Sequence, residues 1–244
     1  MRTASSRKPL SSVWSWIIAC SLLLCGVVPS CPAAEGAAPV EALPTTRESL
    51  DERLFHAINL KPGHRDALDP LLQGLMPLGD RAAIAVPLGL YGWGRLAGDR
   101  RLREVGVFAA AAMASSALVT EGLKGLIARE RPVQHLGEAK VRVVGPRAAD
   151  NRSFPSGHTS NAFAWATVLA GLYPDQELLC YGVATAIAFG RVRLGAHYPS
   201  DVLAGAAIGY LAGRLVLDHR DLLLRREEPA PGLNTLGVAQ RFRF

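Results

Sequence analysis

Five apolar segments follow one another from residue 82 onward, and they set the expectation for the fold. They occupy residues 82–96, 105–127, 159–173, 178–190 and 202–216. Their richness in Ala and Gly is typical of helices that pack closely in lipid. Their uncharged cores are shorter than the roughly 20 residues of a spanning helix, but flanking Arg, Lys and Glu side chains can snorkel. The pattern predicts an all-α, multi-helix bundle with five membrane-spanning apolar helices, and short buried helices of a soluble protein are the alternative.

The N-terminal 33 residues resemble an export signal. Three basic residues among the first nine precede an uncharged apolar run at residues 13–28, and the small residues Cys31 and Ala33 follow it. This order predicts either a secretory signal peptide or an uncleaved N-terminal membrane anchor. Both alternatives export the part of the chain that follows.

The remaining polar stretches define the predicted domain organisation. Residues 34–80 mix Pro, Gly and charge with short apolar pieces, which predicts a linker with one or two short amphipathic helices. These helices are expected to pack on the core as a lid, and an interfacial helix that guides a lipid is the alternative. Residues 81–220 are predicted to form the helical core, and residues 221–244 a polar tail.

Composition favours a membrane protein over a nucleic-acid-binding protein. Hydrophobic residues make up 49% of the chain, and the mean hydropathy is positive, so the chain is more apolar than a soluble domain requires. The formal net charge is +6, but the arginines lie in short clusters beside apolar runs and not along a basic stripe. No nucleic-acid partner is therefore expected.

The positions of the basic residues also predict an orientation in the membrane. If the N-terminus is cytoplasmic, the arginines at residues 95–103 and at residues 214–226 both fall on the cytoplasmic side. The same count places residues 124–158 and the turn around His197 together on the outer side. Three polar clusters would then meet on one face of the membrane.

The first of these clusters closes the second apolar segment. Lys124 and Arg131 are almost two helical turns apart, so we expect both cations on one face of a helix. Pro132 cannot continue a regular helix, and it is expected to end this one just past Arg131. Glu121 precedes Lys124 by three residues and is expected to pair with that lysine or with Arg129.

The second and third clusters open the helices that follow them. Residues 155–158, Pro-Ser-Gly-His, begin an apolar segment, and the free N–H groups and dipole of a helix start favour an anion. The third cluster contains Arg191, Arg193, His197 and Asp201. Asp201 follows His197 by four residues, a spacing that lets a carboxylate reach an imidazole.

In this order and spacing, the clusters resemble the motifs of a known superfamily. They are similar to the Lys-(x6)-Arg-Pro, Pro-Ser-Gly-His and Ser-Arg-(x5)-His-(x3)-Asp motifs of the type 2 phosphatidic acid phosphatase and vanadium haloperoxidase superfamily, in particular its membrane lipid phosphatase branch. The resemblance spans approximately residues 82–217. Gly190 departs from it, because the superfamily usually has Ser at this position, and we expect a modest effect on rate.

The resemblance implies catalysis through a phosphohistidine. It implies that His197 is the nucleophile, that Asp201 holds its ring, and that His158 protonates the leaving oxygen and then activates water. The phosphate-binding residues that it implies are Lys124, Arg131, Ser156, Gly157 and Arg191. We expect no metal or other cofactor, because cationic side chains supply the stabilisation and the His and Cys spacing matches no metal site.

The expected function is hydrolysis of phosphate monoester or diphosphate groups of membrane lipids. The resemblance places the protein in a bacterial-type inner membrane with its active site on the periplasmic side, and its expected partners are the membrane and a phosphorylated lipid. A soluble, periplasmic, non-specific acid phosphatase of the same superfamily is the alternative. A vanadium haloperoxidase and a non-catalytic membrane protein fit the sequence less well.

Overall fold

The computed structural model describes residues 48–60, 64, 66–137, 140–141, 143 and 152–224. The predicted export signal and most of the predicted polar tail lie outside these residues.

The described part of the chain is helical and contains no strand. Nine α-helices and three short 3₁₀ turns follow one another, with a single isolated antiparallel bridge between Glu130 and Arg152. The 3₁₀ turns are Met76–Gly79, Arg81–Ile84 and Pro174–Gln176. The helices are α1 (Leu50–Asn59), α2 (Leu68–Leu75), α3 (Ala85–Leu96), α4 (Arg100–Ile127), α5 (Pro132–Leu136), α6 (Gly157–Leu172), α7 (Glu177–Arg193), α8 (Pro199–Asp218) and α9 (Arg220–Leu224).

The prediction of an all-α bundle is confirmed. The five apolar segments correspond to α3, α4, α6, α7 and α8. Among the described helices, α4 and α8 have the length and composition of a membrane span, with 28 and 20 residues. The other three are shorter, with 12, 16 and 17 residues. Five spans are therefore not confirmed, although five helices are.

Helix α6 lies at the centre of the bundle. It packs against α4, α7 and α8, and eleven of its sixteen residues are buried. Val168 and Leu169 join Phe108 and Met113 of α4 in the main hydrophobic core. Because neighbours surround this helix, its N-terminal residues have a fixed position relative to α4, α7 and α8.

Three glycines of α8 allow that helix to approach α6 very closely. Gly205, Gly209 and Gly213 recur every four residues and so lie on one face of α8. A Cβ atom at Gly209 would lie 2.1 Å from the carbonyl oxygen of Ser160, and one at Gly205 would lie 2.5 Å from that of Ser156. Only glycine fits there, and the close packing places the start of α8 beside the start of α6.

The short helices α1 and α2 are attached to the ends of α7 and α8. The Asp51 carboxylate of α1 accepts hydrogen bonds from the backbone N–H and the hydroxyl of Ser200, at 2.9 and 2.6 Å. Arg193, the last residue of α7, bonds to Asp66 and lies 3.8 Å from Asp69 of α2. Both short helices therefore lie at the end of the bundle that carries the third cluster.

The structure corrects the predicted end of α4. The helix ends at Ile127, and Ala128 adopts a left-handed conformation with φ of 47°. Arg131 is extended, and Pro132 is the first residue of α5. A residue before proline avoids helical geometry, and proline suits a helix start, so Pro132 begins a helix here and does not end one. Lys124 and Arg131 consequently belong to different elements.

Candidate active site

The three polar clusters meet at one end of the bundle. The buried Lys124 lies in the last turn of α4, and a Cβ atom at Gly157, the first residue of α6, would lie 3.9 Å from its Nζ. Arg131 is also buried, and its Nη1 lies 3.2 Å from Nε2 of His197. Arg191 influences both His158 and His197 electrostatically, as Arg131 does. Residues from all three clusters thus lie near one another.

The ring of His197 is held in one orientation. Its Nδ1 lies 2.9 Å from the carbonyl oxygen of Ser153, and because a carbonyl only accepts, Nδ1 must carry the proton. Nε2 therefore carries the lone pair and faces Arg131. Burial, together with the charges of Arg191 and Arg131, lowers the pKa of His197 to about 3, although Asp201 acts in the opposite direction. The imidazole is neutral at pH 7.

Asp201 supports His197 less directly than its spacing predicts. Its carboxylate accepts hydrogen bonds from the Ser153 hydroxyl and, at 2.8 Å, from the backbone N–H of Tyr198, whereas Nδ1 of His197 is 3.7 Å away. His197 precedes α8 and Asp201 lies in its first turn, so the pair does not share a helix face. Ser153 stands between them, since its hydroxyl is 3.4 Å from Nδ1.

Arg129 is a member of this network that sequence reasoning did not assign to the site. Its guanidinium donates to Asp201 at 2.8 Å and to Asp51 at 2.7 Å. It also lies over the ring of Tyr198, 4.0 Å from the ring centre. Arg129 thus connects α1 to the carboxylate beside His197. Its position within the first cluster was the signal in the sequence.

Glu121 takes the first of its two expected partners. Its carboxylate lies 3.5 Å from Nζ of Lys124 and 4.0 Å from Arg152. Arg129 pairs instead with aspartates from other helices. Lys124 therefore forms an ion pair with Glu121 at the edge of the site.

His158 has a more open environment than His197. Its side chain is 27% exposed, and Nε2 lies 3.4 Å from the Asp80 carboxylate. Burial and the charges of Arg191 and Arg131 lower the pKa of His158 to about 4, against the opposing effect of Asp80. Sequence reasoning missed Asp80, because it lies in a short turn far from the three clusters in the chain.

Arg191 and Ser156 face the site from α7 and α6. Nε of Arg191 is buried, and no hydrogen bond to it is found within the described residues, while Nη1 lies 3.9 Å from Sδ of Met76. The buried Ser156 hydroxyl caps α6 by accepting from the backbone N–H and the hydroxyl of Thr159, at 3.5 and 3.0 Å. Its own proton is still available to an acceptor.

Gly190 and Arg193 flank Arg191, and neither adds a polar group to the site. A Cβ atom at Gly190 would lie 2.8 Å from Cε of Met76, so this methionine occupies the space beside the glycine. Arg193 donates to the carbonyl oxygen of Ile58 at 3.3 Å and pairs with Asp66. Arg193 therefore belongs to the scaffold that attaches α1 and α2.

This arrangement has the chemistry needed to bind a phosphate group. The lone pair of a neutral imidazole faces Arg131, Arg191 also acts on this ring, and Lys124 lies beside Gly157 at the start of α6. Such positioned cations stabilise the negative charge on the oxygens of a transferring phosphoryl group. A second imidazole, beside Asp80, is placed to exchange a proton.

Comparison with known proteins agrees with this geometry. The family model described as PAP2 superfamily matches residues 106–221, which contain all three clusters. A lipid A 1-phosphatase of Rhizobium johnstonii is 36% identical over 96 residues, which are 38% of this chain and 39% of that protein. A decaprenylphosphoryl-5-phosphoribose phosphatase of Mycobacterium tuberculosis is 33% identical over 144 residues, which are 59% of this chain and 76% of that protein.

A solved structure shares the arrangement of helices. The crystal structure of Aquifex aeolicus LpxE superposes with a TM-score of 0.59 at 28% sequence identity, covering 70% of this chain and 96% of that one. The matches to the lipid A 1-phosphatases extend over less than half of the length of those relatives.

Proposed function

The chain belongs to the PAP2 superfamily, and from this membership and the geometry around His197 we propose that it is a phosphatase acting on phosphate monoester or diphosphate groups of membrane lipids. The observation that carries the proposal is the orientation of His197. Its Nδ1–H is held by the Ser153 carbonyl, and its Nε2 lone pair faces Arg131. A fixed, neutral imidazole among cations is suited to attack phosphorus.

In the first step, Nε2 of His197 attacks phosphorus, and the bond from phosphorus to the lipid oxygen breaks. Lys124, Arg131 and Arg191 stabilise the phosphoryl oxygens, and the Ser156 hydroxyl and the Gly157 N–H lie at the start of α6, next to Lys124. The imidazole becomes positively charged as the bond forms. Asp201 stabilises that charge from 3.7 Å and through the Ser153 hydroxyl.

His158 supplies the proton that the leaving oxygen needs. Its pKa of about 4 makes the ring neutral at pH 7 in the arrangement described here. A bound phosphate dianion would counteract the charges of Arg191 and Arg131, which raises the pKa and favours the protonated ring. In the second step the neutral ring accepts a proton from water, whose oxygen attacks phosphorus and releases His197.

The surface of α8 supports a lipid environment. Leu203, Leu211 and Leu215 are 71%, 63% and 58% exposed and lie along the same helix. A row of large exposed apolar side chains on a helix long enough to span a bilayer fits contact with lipid. The named relatives act on lipid A and on a decaprenyl compound. We therefore favour the membrane enzyme over a soluble phosphatase.

Phosphate release from defined lipids tests the proposed function. The purified protein would be assayed with phosphatidic acid, phosphatidylglycerol phosphate, undecaprenyl diphosphate and lipid A. We expect release from at least one of them, no release by His197→Ala, and an acid-labile, base-stable phosphoenzyme only when His197 is present. Absence of hydrolysis of all four, or hydrolysis by His197→Ala, would contradict the proposal.

Two measurements test the location of the site. Carbonate washing should leave the protein in the membrane fraction, whereas a soluble periplasmic phosphatase would be released. In intact spheroplasts, an impermeant thiol reagent should label Gln134→Cys but not Arg100→Cys, if the active site is periplasmic. Both positions are exposed, and Arg100 is preferable to its neighbour Asp99, whose side chain caps α4. The unsubstituted protein controls for its native cysteines.

A further inference from the structure

The two histidines of the site differ in the charged groups that face them. His158 is influenced by the positive charges of Arg191 of α7 and Arg131 at the start of α5, and Lys124 lies beside the preceding residue, Gly157. The Asp80 carboxylate, 3.4 Å from Nε2, opposes these positive charges. A general acid must carry a proton when the leaving group departs. Without a negative neighbour, these two arginines would favour the unprotonated ring.

The turn that carries Asp80 is fixed by the same helix that carries His158. The carbonyl of Gly79 accepts a hydrogen bond from the side chain of Asn161, one turn after His158 on α6, at 3.3 Å. A Cβ atom at Gly79 would lie 2.6 Å from the carbonyl oxygen of His158, so this turn packs directly on the start of α6. The backbone N–H of Asp80 bonds to Pro77 at 3.3 Å.

Further hydrogen bonds connect this turn to the interior of the bundle. The Asn161 side chain lies 3.4 Å from the hydroxyl of Ser116 of α4, which accepts from Ser160 at 2.9 Å. Thr120 donates to Ser160 at 3.2 Å. All four of these residues are buried. A polar network of this kind gives the turn a defined position. The Asp80 carboxylate is therefore held in place beside the ring of His158.

We propose that Asp80 is a positioning residue for His158, and this inference rests on the proposed phosphatase function. Its carboxylate accepts a hydrogen bond from Nε2–H, stabilises the protonated imidazole and fixes the ring. Nδ1 is then the nitrogen that gives its proton to the leaving oxygen and later takes one from the attacking water. Asp80 itself neither gains nor loses a proton. The site thus contains two carboxylate–imidazole pairs, one for each histidine.

The variant Asp80→Asn tests this role, since it keeps the shape and removes the charge. We expect the high-pH limb of kcat, which reports the pKa of His158 with substrate bound, to move to lower pH by about one unit for a lipid phosphate monoester, with about a tenfold loss above that limb. For an aryl phosphate such as p-nitrophenyl phosphate, whose phenolate leaves without protonation, the rate of hydrolysis should fall by less than about threefold. In a His158→Ala background, Asp80→Asn should cause no further loss.

Asp218→Asn is the matched control, because Asp218 pairs with Arg214 at 3.8 Å near the far end of α8. This variant should have unchanged activity on both substrates and an unchanged pH profile. Equal losses on both substrates, an unchanged pH profile, or an additive loss in the His158→Ala background would overturn the role of Asp80. Wild-type protein that hydrolyses neither substrate would instead contradict the proposed function, so the two failures are distinguishable.

Discussion

His197 and His158 lie in the same site, yet the protein treats them differently. His197 is 2% exposed, and Ser153, Arg131 and the nearby Asp201 surround its ring. His158 is 27% exposed and contacts one carboxylate, which is itself 49% exposed. One imidazole is buried and held on several sides, and the other is partly exposed.

This difference fits the two roles that we propose. A nucleophile needs one tautomer and a lone pair aimed at phosphorus, which a network of fixed partners provides. An acid that later becomes a base must change its protonation state in every cycle and must reach water. Because both residues are histidines, their roles are distinguished by their burial and by the number of partners that fix each ring.

Removal of each imidazole gives the largest expected effect. His197→Ala should be inactive on every substrate, because no other group replaces the nucleophile. His158→Ala should lose about 100-fold or more on a lipid monoester and about tenfold or less on an aryl phosphate, whose leaving group needs no proton. Steady-state phosphate release on both substrates checks this. Substantial activity in His197→Ala, together with complete loss in His158→Ala on both substrates, would mean that the roles are reversed.

Substitution of Arg129 tests the support of His197 separately from that of His158. Arg129→Ala should lower kcat by up to about 100-fold on lipid and aryl substrates alike, because it loosens Asp201 and with it the ring of His197. Asp51→Asn, which removes the other carboxylate that Arg129 binds, should have a smaller effect. Arg214→Ala on the surface is the control. A loss that depended on the leaving group would instead place Arg129 on the His158 side.

The buried, neutral His197 should also affect stability at acidic pH. Its pKa is about 3 in the fold, against an ordinary value of 6.5, so below pH 6.5 the unfolded chain takes up the proton first. Stability from this residue is complete above pH 6.5 and is lost as the pH falls toward 3. At pH 4.5 the loss should be about 2 to 3 kcal/mol.

His197→Asn is the matched variant for this measurement, since its amide N–H can replace Nδ1–H at the Ser153 carbonyl but does not titrate. Chemical unfolding in detergent at pH 7 and pH 4.5 should show a smaller decrease in unfolding free energy for the variant than for the wild type. His158 titrates in both proteins and cancels in the comparison. Equal decreases would contradict a buried neutral His197.

Gly190→Ser should have the smallest effect on activity. It tests the position of Arg191, whose charge acts on both histidines. The new side chain meets the end of Met76, a flexible residue that can move aside, so we expect a change in kcat/KM of less than about threefold. Gly209→Ala is the contrasting variant, because its Cβ atom would meet a backbone carbonyl that cannot move in this way. That variant should yield little folded protein. A large loss in Gly190→Ser with intact folding would show that Met76 holds Arg191 in place.

The sequence alone predicted the five main helices and the three polar clusters that lie at one end of the bundle. Apolar segments separated by polar clusters were sufficient to predict a helical bundle, because burial of apolar faces depends on local pattern. The spacing of Lys124, Arg131, Arg191 and His197 pointed to phosphate chemistry. The end of α4 was predicted wrongly, because Pro132 suits a helix start as well as a stop, and only the path of the chain decides between them.

Tertiary structure alone decided which groups hold each imidazole. Ser153 contacts His197, Asp80 contacts His158, and Arg129 contacts Asp201 beside His197. These residues come from separate loops and turns, and no local pattern in the chain reports such contacts. The close approach of α6 and α8 at Gly205 and Gly209 brings the starts of these two helices together. A single Cβ atom at either glycine would push the helices apart. Local sequence therefore determined which chemical groups are present, whereas helix packing determined their distances, burial and pKa values, because those depend on neighbours distant in the chain.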